Sequence, residues 1–131
     1  MAGHGVGQRA SATLLERKEA LARAVTAALY AERPDLLERF GERGREKCLE
    51  DMRYNIEHLA PAVGLGEPAL FARYVVWLRD LLEARNVPAR EVVRSLELLS
   101  RAVHDDFEPE EAAAVLTAID AGLAAIAGPV T

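Results

Sequence analysis

Lys47, Cys48, Asp51, Tyr54, Asn55 and His58 can each act as nucleophile, acid, base or hydrogen-bonding group, and they lie within one short stretch. Wound as an α-helix at 100° per residue, they fall on a single stripe. Beside it runs an apolar stripe of Leu49, Met52, Ile56, Leu59 and Val63. A polar stripe that borders a core stripe lines a pocket or a wetted groove. Cys48, the one cysteine of the chain, is a soft nucleophile or, on the plainer reading, a small core residue. Asp51, Asn55 and His58 would each cost about 1–3 kcal/mol if buried without a partner. For Asn55 and His58, water or one another suffices. An unpaired buried carboxylate costs more, so Asp51 calls for a cationic or N–H-rich partner, either Lys47 or a ligand.

Other chemistries fit this stretch poorly. His58 follows Cys48 by ten residues, about 15 Å along the helix axis, so the two form no nucleophilic dyad. Glu50/Asp51 and Asp105/Asp106 are what an Arg/Glu-rich amphipathic chain produces by composition, and they read as solvated charge. The aromatic set Tyr54, Phe71, Tyr74 and Trp77 either fills core or lines a flat conjugated ligand.

The elements that must position these groups are helices. Leu14, Leu15, Leu21, Ala22, Val25, Ala28 and Leu29 recur at helical spacing from Ser11 until Pro34 ends the run. Asp35 starts a short helix that Gly41 and Gly44 interrupt or bend. The helix with the polar stripe runs from about Glu46 to Ala60, where Pro61 stops or kinks it. Pro68 opens the next helix, with Leu70, Phe71, Tyr74, Val75, Leu78, Leu81, Leu82 and Arg85 on one face and Trp77 at its edge. Two more start at Pro88 and Pro109, burying Val92, Leu96, Leu99 and Val103 in the first, and Ala112, Val115, Leu116, Ile119, Leu123 and Ile126 in the second. No window alternates as a strand does. The expected fold is all-α, with globin-like orthogonal packing of five to six helices, ahead of a four-helix bundle.

Composition narrows the class. The chain has 131 residues, half of them hydrophobic, which suits one domain with a real core. Residues 1–9, with three glycines, are expected to be a disordered tail, 10–128 the single domain, and 129–131 its end or the start of a linker. A net charge of −5 gives no basic field for nucleic acid. No apolar run approaches the roughly 20 residues that cross a bilayer. The lone cysteine fits a reducing cytoplasm, and the three scattered histidines lack the spacing of structural zinc.

Gly44-Arg45-Glu46-Lys47-Cys48-Leu49-Glu50-Asp51-Met52 resembles the Lys-Cys-x-Arg-Asp segment of phycobiliproteins such as phycocyanin and allophycocyanin, globin-fold proteins that carry linear tetrapyrroles. The likeness extends over about residues 36–104, through Tyr54, Phe71-Ala72-Arg73-Tyr74-Val75 with Leu78-Arg79, and Val87-Pro88. The chain looks most like photoglobins, compact non-heme relatives found alone or joined to cobalamin-binding domains, as in photocobilins. The resemblance implies that a bilin of the biliverdin or phycocyanobilin type is the cofactor. Cys48 then matches the cysteine that forms a thioether to ring A, Asp51 the carboxylate that accepts from the pyrrole N–H groups of rings B and C, and Lys47 a propionate contact. The family's arginine just before the aspartate is Glu50 here, so Arg53, Arg73 or Arg79 is expected to replace it. Tyr54, Asn55, His58, Tyr74 and Trp77 are the expected pocket walls. The expected function is a non-enzymatic, bilin-binding photosensory globin module of bacterial light signalling. A cobalamin-binding domain, a downstream signalling protein or a second copy is its expected partner.

Two other readings compete. One is a ligand-free, non-heme globin domain for regulation or dimerisation, whose polar stripe is an interface. The other is a heme globin, for which only His58 or His104 is available as proximal ligand.

Overall fold

The computed structural model describes residues 2–127, and these form six helices with no strand among them. They are α1 (Ala2–Glu16), α2 (Lys18–Glu32), α3 (Asp35–Leu65), α4 (Pro68–Ala84), α5 (Ala89–Asp106) and α6 (Pro109–Ile126). The helix count is the one expected from the periodicity. Three boundaries differ, and each difference has a physical cause.

The run from Ser11 to Pro34 is two helices, broken at Arg17 (φ −100°, ψ 9°) with no glycine or proline to mark the break. The chain bends there because α1 packs on α3 and α6, whereas α2 packs on α3 and α5. The Arg17 guanidinium, reaching the backbone carbonyl of Asp106 at 3.0 Å, pins the bend to the end of α5.

The segment 1–9, expected to be disordered, is instead helical from Ala2 onward as the first half of α1. Its glycines allow contact rather than freedom: a Cβ on Gly7 would stand 2.9 Å from the backbone oxygen of Val63 on α3. Gly7→Leu is therefore expected to cost about 1–3 kcal/mol by forcing α1 off α3. A thermal melt unchanged by this substitution would show that the segment does not dock. Residues 129–131, expected to end the domain or begin a linker, lie outside the described residues.

The third difference lies in α3. Pro61 does not stop it; the helix continues to Leu65, because Leu59, Ala60, Ala62 and Val63 are all buried and packing holds the turn that lacks one N–H. Gly66, left-handed at φ 66°, then ends it, with the Glu67 N–H donating to the Ala62 carbonyl at 2.9 Å. Near its start, Gly41 leaves the helical region (φ 69°, ψ −173°), so the segment 35–40 turns away from the axis of the rest. Only glycine takes this backbone conformation readily.

The core is continuous. Met52, Ile56 and Leu59 of α3 meet Phe71 and Val75 of α4, Leu96 and Leu99 of α5, and Val115 and Ile119 of α6, all buried. The packing of α4 on α6 is the most extensive of any helix pair. It depends on Gly122, where an added Cβ would meet Val75 at 2.9 Å and Phe71 at 3.0 Å.

Candidate functional site

Midway along α3, the polar stripe divides. Its first half, Lys47, Cys48, Asp51 and Asn55, borders a cleft closed by Leu29 and Tyr30 of α2, Leu36 and Phe40 of the kinked segment, Leu78 and Leu82 of α4, and Val87, Pro88, Glu91 and Val92 around the start of α5. The cleft holds about 190 Å³ and is mostly apolar. Gly41 makes it possible: a straight α3 would carry Leu36 and Phe40 elsewhere, and the bend folds them over the opening.

Cys48 points from α3 toward α2, where the Thr26 hydroxyl donates to its sulfur at 3.8 Å. Burial pushes the thiol above its ordinary pKa; the Thr26 hydrogen bond offsets part of this, while the Asp51 and Glu91 carboxylates add to it. The group is thus held as a thiol near neutral pH, the less nucleophilic form.

Asp51 is half-buried and enters no hydrogen bond or ion pair among the described side chains. Lys47, one turn earlier, reaches Glu50 at 3.3 Å instead. Burial raises the Asp51 carboxyl above its usual range, opposed by the positive charges of Lys47 and Arg85. Asn55 has a partner at each end of its amide: its Oδ1 accepts from the Tyr74 hydroxyl at 2.7 Å, and its Nδ2 donates to the Met52 sulfur at 3.3 Å.

The other expected site residues stand outside the cleft. Arg53 turns to α2, where Glu19 receives both ends of its guanidinium at 2.7 and 2.8 Å and is itself held down at a pKa of about 2. Tyr54 and Trp77 are exposed on the surface. His58 stacks on the Tyr74 ring (centroids 4.1 Å apart, 10° between planes) and donates from Nδ1 to the Tyr54 carbonyl at 2.9 Å. Tyr74 contributes through Asn55 rather than as a wall; burial and the nearby Asp51 carboxylate raise its pKa. Arg53 and His58 are thus engaged by α2 and α4 outside the cleft, and Tyr54 faces solvent. Neither His58 nor His104, which lies beside Asp105 at the exposed end of α5, lines the cleft, so the heme reading has no proximal ligand there.

Three charged residues of the cleft went unassigned in the sequence. Arg39 and Arg85 line it, whereas Arg79 is bonded to its neighbour Asp80 at 3.1 Å and neither it nor Arg73 reaches the cleft. Arg85 had a signal, since it closes the inward face of α4. Arg39 had none, because its direction depends on the kink at Gly41. Glu91, in the first turn of α5, looks like ordinary helix-dipole compensation but faces inward, with its side chain 11% exposed.

A family model described as phycobilisome protein matches residues 7–126. The beta-18 subunit of allophycocyanin from Aglaothamnion neglectum is 29% identical over 99 residues, covering 72% of this chain and 55% of that protein. The chain thus spans about half the length of this curated relative.

Proposed function

From the premise that this chain belongs to the phycobilisome protein family, as the match over residues 7–126 shows, we propose that it is a bilin-binding globin-like module and that the cleft on α3 is its chromophore site. The single observation that carries this reading is Asp51: a half-buried carboxylate with no partner of its own, in an apolar cleft bordered by cations. The four-nitrogen conjugated core of a linear tetrapyrrole supplies what the residue lacks. Two pyrrole N–H groups donating to one carboxylate keep the bilin protonated, and each charge replaces the solvation the other loses.

Arg39, Lys47 and Arg85 take the propionates in this reading, in place of the arginines expected from the sequence. A propionate on Lys47 competes with Glu50, an exposed pair worth little. At about 190 Å³ the cleft is smaller than the roughly 300–1,000 Å³ of a site that engulfs its ligand. A bilin therefore lies in it as in an open groove, one edge in solvent, or displaces the 35–40 segment at Gly41.

The module is non-enzymatic in this reading. It works in the cytoplasm in bacterial light signalling, where isomerisation of the chromophore repositions α3 against the kinked segment and α5. A cobalamin-binding domain, another signalling protein or a second copy receives the change.

Purified protein mixed with biliverdin or phycocyanobilin is expected to give a red-shifted, intensified long-wavelength band and a raised melting temperature, as any ligand of the native state alone must. A spectrum identical to free bilin and an unmoved melt would favour the ligand-free regulatory domain instead. The protonated thiol makes noncovalent binding the expected mode without an attachment enzyme. Bilin fluorescence is accordingly expected to be absent from a denaturing gel after simple mixing, and Cys48→Ala to keep its affinity within about threefold. Fluorescence that survives denaturation in the wild type and vanishes in Cys48→Ala would overturn this.

A further inference from the structure

Resting on the bilin reading of the cleft, we infer that Glu91 is a second acceptor for the chromophore, taking the lactam N–H of the terminal ring that lies beside Cys48. Glu91 stands on α5, across the cleft from α3, and its two oxygens have different fates. Oε1 accepts from Nη1 of Arg33, whose other guanidinium nitrogens hold Asp35 at 2.9 and 3.0 Å. Oε2 is buried and has no hydrogen-bond partner. A buried carboxylate oxygen left unpaired is costly and uncommon in a folded protein.

The position of this oxygen defines what would satisfy it. Cys48 and Asp51 line the cleft from α3 and Glu91 lines it from α5. Two separated acceptors suit a linear tetrapyrrole. Its inner pyrroles present N–H groups to one carboxylate, and its outer rings are lactams, each carrying one further N–H donor. With the inner rings on Asp51, the outer ring nearest the thiol is the donor within range of Glu91. Arg33 fixes the group through Oε1, which leaves Oε2 as the oxygen without a donor. Glu91 is thus a binding residue that sets which end of the chromophore lies beside Cys48, and no proton needs to move.

The same clamp makes Glu91→Gln an informative substitution. Arg33 can only donate, so the amide oxygen of the glutamine must take the place of Oε1, and its NH2 group must occupy the place of Oε2. An acceptor becomes a donor facing a donor. Titration of the full chain with biliverdin is expected to show at least tenfold weaker binding for Glu91→Gln, with the red band of the bound fraction kept, since Asp51 still holds the inner rings.

Glu91→Met, which removes the acceptor and leaves no charge to bury, is expected to give a similar loss and serves should the glutamine variant not fold. Asp35→Asn, which disturbs the same arginine without touching the cleft, is expected to bind within about twofold of wild type. If the wild type binds biliverdin and both Glu91 variants bind it as tightly, a resident water satisfies Oε2 and the assignment of Glu91 is overturned while the bilin reading stands. If the wild type itself does not bind, the bilin reading fails and this assignment falls with it.

Discussion

Asp51→Asn is expected to raise the melting temperature of the empty protein and to abolish most of its affinity for biliverdin. The two effects have one cause. In the empty cleft the carboxylate is half-buried without a partner, and an amide of the same shape removes the charge, for a gain of about 1 kcal/mol or roughly 3 °C. Burial raises the folded-state pKa of Asp51 above its unfolded value near 3.9. The folded protein therefore binds this proton more tightly than the unfolded chain does. The penalty is absent below the unfolded pKa, grows as pH rises toward the raised value, and is complete above it. The stabilisation by Asn should thus be present at neutral pH and gone near pH 3. With bilin the sign reverses, because the protonated tetrapyrrole loses its counter-charge. Removal of one member of a buried charge pair costs about 2–5 kcal/mol, or at least about thirtyfold in affinity, and the red band should collapse toward that of free pigment. An Asn variant that binds with unchanged spectrum and affinity would remove Asp51 from its assigned role. One that binds poorly but melts lower than wild type would show that the empty protein already satisfies the carboxylate.

The second large effect lies in the scaffold. Phe71→Ala is expected to cost about 3–5 kcal/mol, a large share of the 5–15 kcal/mol that holds a typical domain together. Phe71 has no solvent exposure and fills the space left by Gly122 on α6. Gly122→Leu alone overpacks the same contact, by about 1–3 kcal/mol. Combined, the two changes exchange volume across one interface. The double variant should recover about 1–2 kcal/mol relative to the sum of the singles, the coupling expected of residues in contact. Strict additivity in urea melts would show that α4 and α6 do not meet through this pair. Because Phe71 also stacks on Tyr74, with centroids 5.9 Å apart, and Tyr74 holds Asn55 in the cleft wall, Phe71→Ala should weaken biliverdin binding as well.

The helices and the acid that borders the cleft were legible in the chain. Met52, Ile56, Leu59 and Val63 recur at helical spacing and are all buried, as are Val92, Leu96, Leu99 and Val103 of α5. Such periodicity is a local property, written in residues three and four apart, and it survives whatever the helix packs against. Prolines at 68 and 109 stand at the first positions of α4 and α6 because their φ and missing N–H suit that place best. Asp51 was visible for the same local reason: its angle on α3 relative to Met52 puts it at the border of the core.

What the tertiary structure alone decided were the partners across helices. Arg53 lies on the helix that carries Asp51, yet it serves Glu19, because α2 offers a carboxylate nearer than the cleft. Arg39 faces the cleft from the start of α3, through the bend at Gly41 whose direction no local pattern encodes, and Arg85 faces it from the C-terminal end of α4. Glu91 became distinctive only when Arg33 claimed one of its oxygens and left the other buried. Apolar side chains announce a face by their spacing, since burial rewards any apolar neighbour alike. A charged side chain is satisfied by one particular partner at one distance, and only the crossing of the helices determines which partner that is.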